Sequence, residues 1–190
     1  MFKQLKVAFI FILFFTLLTG FLYPFLVTGI TQLIFPHQAN GSLITENGEV
    51  VGSELIGQLF TDPKYFWGRI SLTADSPYNA SASGGSNLGP SNPALIDQVK
   101  NRINALKAAD PDNTDPIPVD LITASASGLD PDISIAAAYY QAARIARIRG
   151  VSMESVEELI DQFTTYPILG FIGEARVNVL KLNIALDALE

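Results

Sequence analysis

Residues 7–35 read VAFIFILFFTLLTGFLYPFLVTGITQLIF, a run without a single Asp, Glu, Lys or Arg. How this run is read decides the architecture. As a helix it would extend roughly 44 Å at about 1.5 Å per residue. The hydrocarbon core of a bilayer is about 30 Å thick, so the run can span it with tilt or overhang. The rival reading is a cleaved secretory signal, whose apolar region covers about 7–15 residues and ends in a small-residue cleavage site. Here the run is longer, and no A-x-A-like site follows it closely. The sequence therefore predicts a short N-terminal segment over 1–6, a retained transmembrane helix over 7–35, and one α+β domain over 36–190.

Charge supplies the expected orientation. Lys3 and Lys6 precede the run, and no Lys or Arg follows until Lys64, while Glu46 and Glu49 come early. Positively charged flanks stay on the cytoplasmic side, so the domain is expected to be extracytoplasmic. It holds all 19 acidic residues and all of the 12 basic ones except those two lysines, a balance of −9. Such a surface repels nucleic acid and anionic lipid. With no cysteine, neither a disulfide nor a thiolate metal site is possible.

Within the anchor, Thr16, Gly20, Pro24 and Thr28 recur at a spacing of four. They form a face that admits a second backbone closely, the small-xxx-small pattern of membrane helix pairing. Pro24 also removes a helical hydrogen bond and is expected to bend the helix.

Beyond the anchor, SLIT and EVVG flank Asn47-Gly48, a favoured hairpin turn. YFWGRIS (65–71) reads as a strand or extended segment. Asn92-Pro93 starts a helix with Leu95, Val99, Ile103 and Leu106 on one face. VDLITAS (119–125) reads as a buried strand. Asp130-Pro131 is expected to cap a helix ending at Gly150, and Ser152 another with Val156, Leu159, Ile160 and Phe163 inward. The stretch from Arg176 to Leu189 is read as a final helix, although its first residues alternate like a strand.

Catalytic patterns find little support in these loops. His37, the single histidine, sits where the anchor ends, a poor place for a Ser-His-Asp triad. SASG at 125–128 lacks the first glycine of a G-x-S-x-G elbow. The loop from Asp110 has Asp115 and Leu121 where a calcium loop needs Gly and Glu. Asp130 and Asp132 are explained by helix capping. SASGGSNLGPSNP (81–93) has a Gly84 to Gly89 spacing, but Pro90 and Ser91 replace the Lys and Ser/Thr of a phosphate loop. Gly84 and Gly85 remain as a backbone nest for an oxygen ligand.

Taken together, PYNASASGGSNLGPSNP (77–93), TASASGLDPDIS (123–134) and GEARVNVLKLNIALD (173–187) resemble one family closely. It is the small C subunit of the bacterial Kdp potassium-transporting P-type ATPase. GQLFTDPKYFWGR (57–69) and YQAARIARIRG (140–150) fit as well. The sequence departs from the family pattern at Ile70, Asp132 and Ala175, where Pro, His and Pro are usual.

The resemblance implies a non-catalytic, single-pass subunit of the bacterial inner membrane, with no metal of its own. Its implied partners are a channel-like potassium-binding subunit and a P-type pump subunit. It also implies a catalytic-chaperone role that raises the pump's affinity for ATP, with no covalent cofactor and ATP met only within the complex. On that reading Ser83, Gly84, Gly85, Ser86, Asn87 and Gln141 form a nucleotide-binding surface. The orientation expected from the lysines favours the other reading of the same loop, a rigid element that docks onto a partner or frames the ion entrance. Two different-class rivals are an anchored extracytoplasmic hydrolase using Ser125 or Ser127, and a free-standing envelope binding module.

Overall fold

A computed structural model of the chain describes residues 2–189. The chain divides into two compact units, one ending at Val51 and the other starting at Gly52.

The first unit is dominated by one continuous helix, Phe2–Ile34, the single described helix long and apolar enough to cross a membrane. It consists of α1 (Phe2–Leu17), a π-helical turn (Leu18–Leu22) and α2 (Tyr23–Ile34). The π turn has a local cause. Pro24 has no N–H to offer the Gly20 carbonyl, and the Tyr23 amide reaches back five residues to Leu18 O. Thr19 and Thr31 donate their hydroxyls to Phe15 O and Val27 O (2.7 and 2.9 Å), so these polar side chains are satisfied within the helix. A short helix α3 (Pro36–Ala39) follows, then a hairpin of β1 (Leu43–Glu46) and β2 (Glu49–Ser53). Its turn is the expected Asn47-Gly48, both with positive φ (51° and 84°).

The second unit mixes helices with a small sheet. Helix α4 (Pro93–Ala109) starts where expected, with Asn92 Oδ1 accepting from the Ala94 amide, and Leu106 is fully buried on its inner face. The stretch expected as a strand at 119–125 begins instead as a helical turn, α5 (Val119–Ile122). A short apolar run suits a buried helical turn as well as a strand. Only Ala124 keeps strand character, bridging to Ile70.

The expected helix cap at Asp130 is also corrected. Asp130 Oδ1 accepts from the Asp132 amide (3.1 Å) and turns the chain into β3 (Asp132–Ser134). Helix α6 (Ile135–Arg149) then starts from Ser134, whose Oγ accepts from Ala137 N. It ends as expected at Gly150, with φ 70°. Helix α7 (Met153–Gln162) is capped by Ser152 and buries Val156, Leu159 and Ile160.

Two further strands, β4 (Thr164–Thr165) and β5 (Arg176–Asn178), complete an antiparallel sheet in the order β3-β5-β4, with Val177 opposite both Ile133 and Thr164. The last helix, α8 (Val179–Asp187), therefore begins three residues later than expected, capped by Asn178. The alternation in RVN was a true strand signal.

The core lies where α6, α7 and α8 meet. Ala137, Ala138, Ala142 and Ala146 let α6 approach its neighbours, while Ile145, Ile160, Leu182 and Leu186 fill the space, each fully buried. Each of these four larger side chains contributes about 1.5–3 kcal/mol of hydrophobic stabilisation.

Residues 65–71, expected as a strand or extended segment, form no strand beyond an isolated bridge at Ile70, and side chains satisfy much of the backbone between Pro63 and Gly68. Asn183 accepts from Phe66 N and donates to Phe66 O (2.9 and 3.0 Å). Gln141 does the same for Trp67 (2.8 and 3.2 Å). Arg144 donates to Pro63 O and Tyr65 O, Arg149 to Lys64 O, and Arg102 to Gly68 O. Every buried backbone group must find a partner, and here two carboxamides copy the pattern of a β-ladder. Arg144 is 2% exposed and also stacks over the Trp67 ring at 4.9 Å. Burial pushes its guanidinium down to about 10.

Candidate functional site

The two serine-rich motifs singled out in the sequence are neighbours in space. The Gly84 amide and the Ser83 hydroxyl both donate to Ser127 O (2.8 and 3.0 Å). Gly85 lies flat on the backbone of Ser125 and Ala126, where a Cβ would come within 3.0 Å of Ala126 O. A third loop joins them. Ser71 Oγ donates to Gly128 O and accepts from the Tyr78 amide, each at 2.7 Å, and Ser125 N donates to Ile70 O (3.1 Å). Gly128 is demanded twice over: its φ is +68°, and a Cβ would sit 2.5 Å from Thr73 Cγ2 and 2.7 Å from Gly84 O. The serines and glycines knit three loops into one block.

That geometry bears on the phosphate-nest reading. The Gly84 amide is used inside the block, and Ser86 Oγ accepts from Leu88 N. Ser83 and Asn87 are exposed, and Gly84, Gly85 and Ser86 are half-buried. Gln141 is not on a surface at all. It is 1% exposed, its Oε1 accepts from Trp67 N and Arg144, and its Nε2 donates to Trp67 O and Ala137 O. Both of its amide heavy atoms are fully engaged.

The serines of the hydrolase rival are turn residues here. Ser125 is buried and its Oγ accepts from Gly128 N (2.9 Å), while Ser127 Oγ accepts from Leu129 N (3.1 Å). Among the described residues, no three or more His, Asp or Glu side chains cluster so as to hold a metal ion. Asp110, part of the loop compared with a calcium site, is buried and paired with Arg147 at 2.6 Å.

Asp132 forms an ion pair with Arg176 (2.8 Å) and accepts from Asn178 Nδ2 (3.3 Å). Burial raises its pKa, opposed by the Arg176 guanidinium.

Two residues of this block lie inside the family-like motifs, yet the sequence does not single them out as site residues. Arg69 pairs with Asp130 (2.9 Å) and donates to Ala124 O (3.3 Å), which ties the loop of Ser71 to that of Ser125 and Ser127. Tyr78 takes a positive φ of 58° and donates its hydroxyl to Arg69 O (2.6 Å). Burial pushes that hydroxyl's pKa up. Tyr78 and Arg102 border a cavity of about 290 Å³ whose walls include Phe60, Ile70, Pro77 and Ala105. Both polar side chains are already bonded to backbone carbonyls, Arg102 to Leu121 O and Gly68 O. Arg69, Ser71 and Asn101 also line the cavity, and Arg69 Nε is buried without a hydrogen-bond partner, so its wall is mixed polar and apolar.

In the anchor, Thr16, Gly20, Pro24 and Thr28 are all exposed, and the space beside Gly20 is open. On an ideal α-helix a spacing of four drifts about 40° per step. The wider π turn between Thr16 and Pro24 takes back part of that drift and keeps the row closer to one side.

Comparison with known proteins matches the same stretch of chain. The family described as K+-transporting ATPase, c chain, matches residues 5–188. The potassium-transporting ATPase KdpC subunit of Polaromonas naphthalenivorans (strain CJ2) is 67% identical over 175 residues, 92% of this chain and 89% of that protein. That of Methylococcus capsulatus (strain ATCC 33009 / NCIMB 11132 / Bath) is 61% identical over 189 residues, the full length of both. The match runs from within the apolar helix through all three loops of the block to the end of α8, and the chain belongs to the KdpC family, the c chain of K+-transporting ATPases.

Proposed function

We propose that this subunit is a non-catalytic assembly and coupling element. Its anchor enters the inner membrane with the N-terminus in the cytoplasm. The domain beyond it stands outside the cell and docks through the loop block onto a channel-like potassium-binding subunit. From there it raises the ATP affinity of the P-type pump subunit without touching ATP. The orientation is supported by Lys3 and Lys6 at the start of α1 and the lack of any Lys or Arg from there to Lys64.

The observation that carries the reading is the use made of Gln141 and the Gly84 amide. Both are committed to the subunit's own backbone. A block so fully bonded to itself is a rigid docking surface, not a cradle awaiting phosphates. Any effect on ATP is then a coupling between distant sites, which lies typically between about 5- and 150-fold in affinity.

The test compares the purified complex with and without this subunit. Omission is expected to raise the ATP concentration for half-maximal hydrolysis within that range. A photoreactive ATP analogue is expected to label the pump subunit alone. A labelled peptide containing Ser83–Asn87 would instead make the loop a direct nucleotide contact.

A further inference from the structure

We propose that the hairpin tip between β4 and β5 is a docking knob that seats in an apolar groove on another subunit of the transport complex. The proposal rests on the accessory-subunit reading above and deepens it by naming a contact.

Residues 162–173, QFTTYPILGFIG, hold no charged residue in a domain whose balance is −9. Five apolar side chains stand in solvent there: Tyr166, Ile168, Leu169, Phe171 and Ile172, between 52% and 79% exposed. Elsewhere in the second unit large exposed apolar residues are more scattered along the sequence, as on any protein surface. A consecutive set on one projection is a different matter.

The tip is also built rather than loose. Its base is the β4–β5 ladder, and Ile168 and Ile172 exchange both backbone hydrogen bonds at 3.0 Å. Gly170 N donates to Pro167 O (3.1 Å) and Phe171 N to Ile168 O (3.3 Å). With these four amides satisfied inside the turn, the tip can leave water with little polar cost.

The choice of residue at the apex says more. Leu169 and Gly170 take φ 55° and 79°, close to the values at Asn47-Gly48 in the turn between β1 and β2. A leucine is disfavoured at such a position, where Asn or Gly fits without strain. The turn alone would be better served by an asparagine there. Leucine therefore belongs to a contact rather than to the turn.

Three occupants are conceivable, and charge separates them. A segment lying in a membrane surface sets Lys or Arg on a polar face beside its apolar and aromatic residues. Residues 162–173 have the aromatic residues but no Lys or Arg, and the acidic domain repels anionic headgroups. A two-fold contact between copies needs a self-complementary patch, and a convex tip does not complement itself. A stable subunit interface, by contrast, is apolar, like a domain core cut in two. The family is one of subunits, so that partner is at hand.

Two substitutions and one probe test the assignment in the full chain. Leu169→Asn relieves the turn, so the detergent-solubilised subunit is expected to unfold at or above the wild-type temperature. Its retention in the purified complex is nevertheless expected to fall about tenfold or more, as for loss of a central interface anchor. Phe171→Asp is expected to do the same more strongly. Phe171→Cys carrying a benzophenone, unambiguous in a chain without native cysteine, is expected to cross-link to another subunit of the complex, identified by mass spectrometry. Wild-type retention of both variants overturns the proposal, as does a benzophenone adduct formed only with lipid or with a second copy. Failure of the wild-type chain itself to co-purify would instead remove the accessory-subunit reading, and the docking knob with it.

Discussion

Replacing Gln141 separates a structural amide from a nucleotide contact. In Gln141→Leu the side chain keeps its approximate volume but loses four hydrogen bonds, to Trp67 N, Trp67 O, Ala137 O and Arg144. Trp67 is 6% exposed, so its amide and carbonyl would be left buried without partners. Each stranded group costs about 1–3 kcal/mol. Arg144 keeps its bonds to Pro63 O and Tyr65 O, which limits that loss. The net expectation is about 2–5 kcal/mol, a large part of the roughly 5–15 kcal/mol that holds a domain folded. For a unit of this size it corresponds to a fall in Tm on the order of 10 °C. The single tryptophan of the chain is Trp67 itself, so its fluorescence in the detergent-solubilised subunit follows unfolding at the site of the change. Red-shifted emission and early unfolding are expected. A Tm within about 2 °C of wild type, together with weaker ATP binding by the complex, would refute this and make Gln141 a ligand contact.

Three more expectations follow from particular residues. Gly128→Ala combines a disfavoured φ with contacts below 3.0 Å, so thermal unfolding should show a loss of about 2 kcal/mol or more, and an unchanged Tm would mean the loop block is not rigid. Gly20→Leu fills the open space on the anchor's small-residue row, so co-purification of the complex should fall while membrane insertion is unaffected; wild-type yield would remove that row from the interface. Burial raises the Asp132 pKa against the pull of Arg176, so the folded state binds that proton more tightly than the unfolded state, and the stabilisation fades as pH rises through the folded pKa. Asp132→Asn should therefore gain on the wild type in urea unfolding as pH rises from about 3 to about 7, and a loss over that range would mean that the Arg176 pair dominates.

The apolar run, the Asn47-Gly48 turn, the Asn92 and Ser152 caps and the Gly150 stop were all legible because each depends on its near neighbours. What misled was tertiary. Asp130-Pro131 has the chemistry of a helix cap, but the Asp130 carboxylate closes a turn and Pro131 O accepts from Val179 N, a partner far along the chain. Residues 65–71 read as a strand or extended segment, yet the ladder-like bonds of Phe66 and Trp67 come from Asn183 and Gln141 on helices. The string around Gly84 and Gly85 stood out, but its bonding to Ser127 and its packing on Ser125 and Ala126 depend on a segment some forty residues away. Arg69 and Tyr78 lie inside the family-like motifs, but their partners, the Asp130 carboxylate and the Ala124 and Arg69 carbonyls, become visible only in the fold.

The most direct test asks which side of the membrane the loop block occupies. The chain has no cysteine, so Ser127→Cys, at an exposed position of the block, gives a single labelling site, with half-buried Ser86→Cys as a second. A membrane-impermeant thiol reagent is applied to cells whose outer barrier alone has been opened. Labelling before lysis of the inner membrane is the expected result, and any influence on ATP must then pass through the complex. Labelling that appears only after lysis would place the domain beside the nucleotide and contradict the non-contact role assigned to it.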